Sequence, residues 1–428
     1  MTDKASSQPS DTPDYDVIIV GGGMVGAAIA AALKNTVLRI AVIEREPPVP
    51  FNPDETPDLR VSAINFASEK FLTQLGAWER VLQMRAHPYQ RLAVWEKLGN
   101  PLGERLSSVV NKTEFDSRQV GHTHLGHIVE NRVIQLALLR VVEQAENTTL
   151  ISGRRIRAIN FRETFPEVTL DDQSILRGRL IVGADGGSSM VREQAQLGLL
   201  SDAYEQHALV ISVAIAGEPQ DITWQAFRPH GPLAFLPLCA IDGVAYASLV
   251  WYDQPAKLKA LQQLSQDDFL RALRKEFPRQ LPELLHVLGK GSFPLVKRHA
   301  QHYVAKGVAL AGDAAHTINP LAGQGVNLGF QDAAALAEVI RQAAERGPDI
   351  GDLETLRQYE RLRRGENLKM MTLMDGFYYA FSNNLAPVKL ARNLGLGLAG
   401  LLGPAKRKVV AYAMGLNGAE AERPLTRY

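Results

Sequence analysis

The 428-residue chain has one cysteine, Cys239. It can form no internal disulfide and offers no Cys-x-x-Cys pair. No cysteine–histidine cluster is visible along the sequence either, so no bound metal is expected. Cys239 follows the apolar run AFLPL and reads as a small core residue. Excess charge is also scarce. A formal net charge of +1 supplies no general electrostatic reason for a nucleic-acid partner, and none is expected. Long apolar runs are missing too. The stretch without a charge from Val17 to Leu33 is short for a membrane span, carries four glycines and follows an acidic arm, which argues against both a span and a signal peptide.

What remains is an ordinary soluble composition, 46% hydrophobic and 22% charged, long enough for one large core or two fused ones. Residues 1–14 are polar and read as a disordered arm. The charge is uneven. From Arg357 to Tyr428 there are 12 Lys/Arg against 5 Asp/Glu, while the rest of the chain carries 35 against 41. A basic tail of this kind is either a solvated surface or a docking surface for something anionic.

The strongest local signal comes early. DVIIV, a β-branched run, is followed by Gly21-Gly22-Gly23-Met24-Val25-Gly26 and then by the helix former AAIAAAL. This is GxGxxG in its required strand-to-helix setting. Gly21 allows the tight turn, Gly23 lets backbone approach a pyrophosphate, and Gly26 lets the helix pack close to the sheet. The helix N-terminus offers unpaired N–H groups to phosphates. A second strand, LRIAVIE, ends at Glu44, 23 residues after Gly21, with Arg45 beside it. A carboxylate there can accept the hydroxyl protons of an adenosine ribose, so the segment predicts a dinucleotide site without separating NAD from FAD.

Two further strand ends carry Gly and Asp. LIVGADGGSSMVR runs into Asp185-Gly186 and ends at Arg192. GVALAGDAAHTINPLAGQGVNLGFQD turns at Gly312-Asp313 and leads into an apolar helix. Residues 205–256 alternate as an antiparallel sheet would, in ALVISVAIA, WQAFRP and AYASLVWYD.

The three corners in this order resemble the FAD-dependent aromatic hydroxylases of the 4-hydroxybenzoate hydroxylase fold. One branch is closer still, the ubiquinone-biosynthesis flavin hydroxylases. That likeness runs from Asp16 to about Gly418, in RVSAINFASEKFLTQLGAWE, LGHIVENRVIQLAL, GDAAHTINPLAGQGVNLGFQDAAAL and AMGLN. The resemblance implies an α/β fold: an FAD-binding Rossmann-like domain (15–82, 120–204, 300–360), an interleaved antiparallel-sheet substrate domain (83–119, 205–299) and a helical C-terminal region (361–428). It implies FAD as cofactor and NADPH or NADH as co-substrate.

By the same resemblance, Asp185 and Gly186 meet FAD or its reductant, and Gly312 and Asp313 hold the ribityl chain and phosphate. Gly323, Gly325, Val326 and Asn327 line the flavin ring, where backbone N–H groups would stabilise a carbonyl edge that becomes electron-rich on reduction. Arg60 lies over the phosphates, and Asn131 or Arg132 touches the flavin. Pro320 stands near the flavin face, and His316 is either a base or a loop-fixed histidine. Phe227, Phe235, Leu236, Pro237 and Trp251 wall the substrate cavity, with core packing as the alternative for each. The implied substrates are a polyprenyl benzoquinol and O2, the oxygen being taken up by reduced flavin as a C4a-hydroperoxide that must be kept dry. The partners implied are a ubiquinone-biosynthesis protein complex or a membrane surface, reached through the apolar C-terminal stretch around Lys406-Arg407-Lys408. The implied location is cytoplasmic, peripheral at a bacterial inner membrane. A flavin disulfide reductase would need a second cysteine. A prenyl-binding chaperone on this fold would not need the stretch from Gly312 to Asn327.

Overall fold

The chain is described by a computed structural model covering residues 12–97, 112–161, 164–318, 325–382 and 414. Its first sheet grows from the apolar runs read above. Tyr15–Val20 pairs in parallel with Ile40–Glu44 on one side and Ile175–Gly183 on the other. The order continues outward to Thr148–Ser152 at one edge and to Val308–Leu310 and Val304–Ala305 at the other. Strands buried on both faces carry continuous apolar runs rather than alternation, and Val17, Ile18 and Ile19 have no accessible surface. Helices Met24–Ala32, Asn131–Glu143 and Gly325–Arg346 cover this sheet and share its core.

A second, eight-stranded sheet is built on a long antiparallel pair, Leu199–Ile215 with Leu284–Ala300. Its outer face is covered by helix Gln266–Glu276, capped by the Ser265 hydroxyl and presenting Phe269, Leu270 and Leu273 inward. Its inner face packs through Ala208, Ala234 and Leu236 against Ala63, Tyr89 and Ile128 of a small sheet formed by Val61–Asn65, Gly126–Glu130 and His87–Tyr89. Buried Met414 joins this inner cluster, and its carbonyl accepts the Ala67 N–H at 3.1 Å.

Three expected boundaries shift. The break at 204 falls inside the strand Leu199–Ile215, because one 17-residue strand spans both units. The end of the N-terminal arm is tied down, since Arg39 Nη2 donates to the Pro13 carbonyl and the Arg177 N–H to Asp14. The C-terminal helix begins at Leu353 and runs to Ser382, pinned by Asp375, which accepts from Tyr204 and Lys297. The stretch around Lys406 lies outside the described residues.

The close approach of helix Met24–Ala32 to the sheet depends on Gly26. A Cβ there would sit 1.8 Å from the Gly21 carbonyl oxygen. Gly26→Ala should therefore lower stability by about 1–3 kcal/mol or more through overpacking. Urea unfolding of the flavin-free protein checks this, and an unchanged midpoint would refute it.

Candidate functional site

The three glycine-bearing corners meet at the C-terminal ends of the parallel strands. Gly21 adopts φ +101° and lies so close to Ala184 that a side chain would come 2.4 Å from its carbonyl oxygen. The Ala184 N–H donates back to Val20 and the Ala311 N–H to Gly183, lacing the corners together. Gly312, at φ +60°, faces Val25 of the first helix, as does Gly329 one helix away. Arg192 clamps the second corner to the third: Nη1 donates to the Ala314 carbonyl at 2.7 Å and Nη2 to the Gly187 carbonyl at 2.9 Å. It is buried, and burial lowers its pKa.

Around this junction stand groups suited to a dinucleotide. A Cβ at Gly23 would meet nothing within 4 Å, so open space lies over the helix N-terminus. Glu44 Oε1 accepts the Glu46 N–H, while Oε2 lies 3.2 Å from where a side chain on Gly22 would begin. Asp185 caps the helix Met190–Gln194 through Oδ2, but its Oδ1 is buried without a hydrogen-bond partner among the described residues. Gly186, at φ +81°, has open space at its Cβ position. Asp313 keeps an exposed carboxylate in a cleft whose walls raise its pKa by desolvation, against the pull of His316, Arg60 and Arg298. Arg60 is exposed beside this cleft. An open phosphate cradle, an orphaned carboxylate oxygen and an aspartate at the cleft floor fit the ADP and ribityl parts of FAD.

The remaining candidates have protein partners of their own. Asn327 spends its buried side chain on the small sheet: Nδ2 donates to the Ala63 carbonyl at 2.8 Å and Oδ1 accepts the Asn65 N–H. Its side chain fixes the wall from behind. Gly325 opens the same helix with only Ile318 at 4.0 Å from its Cβ position, and Val326 packs half-buried on the main core. Arg132 is drawn to the acidic loop, bonding Glu55, Asp58 and the Pro50 carbonyl. Asn131 accepts from the Ser62 hydroxyl at 2.7 Å. Gln135, one turn on, donates to the Gly22 carbonyl at 3.0 Å; only its helical spacing from Asn131 could have signalled that role. Arg45 is exposed and pairs with Glu46.

His316 does not face the cleft as a free base. It is buried, and its Nε2 donates to Asp332 Oδ2 at 2.5 Å. Asp332, which has no accessible surface, also accepts from the Gly312 N–H, Arg363 and Asn367. Burial alone would raise its pKa, but His316, Arg363 and Asn367 outweigh that and hold it at about 2. This network supports the third corner from behind, and nothing local in the sequence announced it. Pro320 and Gly323 lie outside the described residues.

The five pocket candidates divide by strand parity. Phe235 and Trp251 belong to the outer core under helix Gln266–Glu276, and Pro237 shares the face of Phe235 by alternation. Leu236 faces inward, and Phe227 alternates with the outward Trp224 and Ala226.

Residues 14–371 match the family described as FAD binding domain. The chain belongs to this family. It is 42% identical to the 3-demethoxyubiquinol 3-hydroxylase of Escherichia coli, over 94% of this chain and 98% of that one. It is 35% identical to the ubiquinone hydroxylase UbiL of Rhodospirillum rubrum, over 94% and 89%. The chain is thus an FAD-dependent hydroxylase of the ubiquinone-biosynthesis group. Among solved structures, the p-nitrophenol 4-monooxygenase PnpA of Pseudomonas putida superposes with a TM-score of 0.74 at 18% identity, covering 94% and 98%. PqsL of Pseudomonas aeruginosa gives 0.70 at 20% identity, covering 89% and 99%. Both share the fold.

Two measurements check this site. Gly23→Ala should leave the stability of the flavin-free protein within about 0.5 kcal/mol, yet release FAD more readily, since its methyl group enters only the open space. Equal flavin retention would refute the assignment. The second concerns His299 behind the Asp332 network. Asn367 donates to the Tyr303 hydroxyl, which donates to His299 Nε2, and that lone pair requires a neutral ring. Burial, then Arg364, His316 and Lys297, lower its pKa from 6.5 to about 4. The fold holds the neutral form, so this contribution is fully present above pH 6.5 and is lost as pH falls towards 4. His299→Gln should show a flatter fall in Tm between those limits than the unaltered protein, and identical slopes would count against it.

Proposed function

We propose that the chain adds a hydroxyl group to the ring of 2-polyprenyl-3-methyl-6-methoxy-1,4-benzoquinol, using O2 and NADPH or NADH. The sequence support is the 42% identity to the 3-demethoxyubiquinol 3-hydroxylase. The observation that carries the reading in the structure lies on the inner face of the second sheet. Ser212 and Ser248 are paired neighbours there, each buried, and each hydroxyl lacks a hydrogen-bond partner among the described residues. Opposite Ser212 stands Gly289, whose Cβ position has nothing within 4 Å. Leu236, paired with Ser248, and the nearby Val250 and Tyr246 keep the surroundings largely apolar.

Buried hydroxyls without partners cost free energy unless a ligand meets them. A dihydroxylated ring has the matching oxygens, and its apolar substituents suit the remainder of this face. Bound FAD supplies the redox chemistry that delivers one oxygen atom to the ring. Asp185, Asp313, Arg60 and the glycine corners hold the cofactor. Ser212 and Ser248 orient the quinol, and the packed inner face excludes water, which would otherwise divert reduced flavin to H2O2.

The basic C-terminal stretch is proposed to reach a membrane surface, where so apolar a substrate resides. The exposed Leu362, Leu368 and Leu373 on helix Leu353–Ser382 support that reading. Among the described residues no helix is long and apolar enough to cross a membrane.

Purified flavin-loaded protein should convert a short-chain analogue of this quinol to a product heavier by one oxygen atom, drawn from isotopically labelled O2. NAD(P)H oxidation that yields only H2O2 would sink the assignment. Ser248→Ala should raise KM for the quinol about 3- to 10-fold, the value of one hydrogen bond, and an unchanged KM would move the ring elsewhere.

A further inference from the structure

Away from the flavin corners, the fold gathers three metal-ligating side chains that sequence spacing keeps apart. Glu69 lies in the first turn of helix Phe66–Leu75, His124 in the loop before strand Gly126–Glu130, and His127 on that strand. His124 Nε2 stands 2.8 Å from Glu69 Oε2 and His127 Nδ1 3.1 Å from the same oxygen. The three potential ligand atoms lie within 4.8 Å of one another. We propose that Glu69, His124 and His127 form a binding site for one divalent transition-metal ion, with zinc the best match.

The chemistry of the donors supports zinc. Two imidazoles and one carboxylate are a borderline set that suits it, whereas magnesium and calcium call for oxygen ligands throughout. Donors on ~2.0 Å bonds to a tetrahedral ion stand roughly 3.3 Å apart, so the two spacings from Glu69 to the histidines need only a small outward movement. The ligands are also held from behind. The Thr123 hydroxyl lies 2.9 Å from His124 Nδ1, and that second nitrogen fixes which face of the ring is offered. Trp78 packs edge-on against His127, with ring centroids 5.1 Å apart.

The ion takes the place of the two N–H groups directed at Glu69, each neutral ring then carrying its proton on its other nitrogen, at His124 the one beside the Thr123 hydroxyl. Three protein ligands leave a fourth position for water. Accessibility is adequate, because the Glu69 and His124 side chains are 16% and 17% exposed. Occupancy would tie the start of helix Phe66–Leu75 to strand Gly126–Glu130. That helix start is also where Ala67 meets Met414, so the metal would brace the contact between the small sheet and the C-terminal segment.

The test uses flavin-loaded, chelator-treated protein titrated with Co2+ and then Zn2+. One equivalent of Co2+ should give the visible d–d bands of a low-coordinate site in the difference spectrum, and Zn2+ should abolish them. Calorimetry should show Zn2+ affinity falling by at least about tenfold in Glu69→Gln and in His124→Gln, while both variants keep their flavin. His286→Gln, at an exposed histidine elsewhere, should bind Zn2+ like the unaltered chain. Absence of saturable one-equivalent binding would overturn the proposal, as would equal affinity in His124→Gln and the unaltered chain. Should His127→Gln fail to fold, the more exposed His124→Gln still decides the matter.

Discussion

The architecture depends on backbone packing against backbone where three strand ends converge. Gly26 beneath Gly21, Gly21 against Ala184, and Gly312 with Gly329 around Val25 leave no room for a side chain at four points. Close approach there brings peptide N–H groups, a helix N-terminus and two aspartates to one groove. Each of these has little affinity for a cofactor alone. Together they form an extended surface for a dinucleotide, because the glycines remove the side chains that would hold the corners apart.

Such a junction has little apolar surface of its own, and its rigidity comes from buried ions behind it. Asp332 gathers Gly312 and His316 from the third corner and Arg363 and Asn367 from the C-terminal helix. Arg85 and Glu130 do comparable work on the other flank, where a 2.9 Å buried pair holds the loop preceding Arg60 through the Asp58 N–H and the Pro53 and Glu55 carbonyls. Breaking a buried pair leaves an uncompensated charge and is costly even where forming it gains little. The two pairs therefore act mainly to hold loops in place. His316 belongs to this supporting set.

The second sheet divides its work by parity. Outward residues such as Trp224, Phe235 and Trp251 bury a helical cover, while inward residues meet the cofactor-binding half. A few inward positions, Ser212 and Ser248 among them, are polar in a largely apolar field.

The sequence by itself determined the parallel sheet, the three glycine corners and a site for a dinucleotide. These depend on local rules: β-branched runs, a glycine where φ is positive or contact is close, and a helix beginning straight after a turn. It also showed that residues 205–256 would form a sheet, but not which face of each strand would point inward, since a shift of one residue exchanges the two. Tertiary structure alone decided that His316 would be paired with Asp332, that Asn327 would hold Ala63 and Asn65, and that Arg132 would turn to Glu55 and Asp58. It alone brought Glu69 to His124 and His127 across 55 and 58 residues. The physical reason is common to all of these. A charged or amide side chain takes the partner that the packed chain places within about 3 Å, and sequence distance carries no record of that proximity.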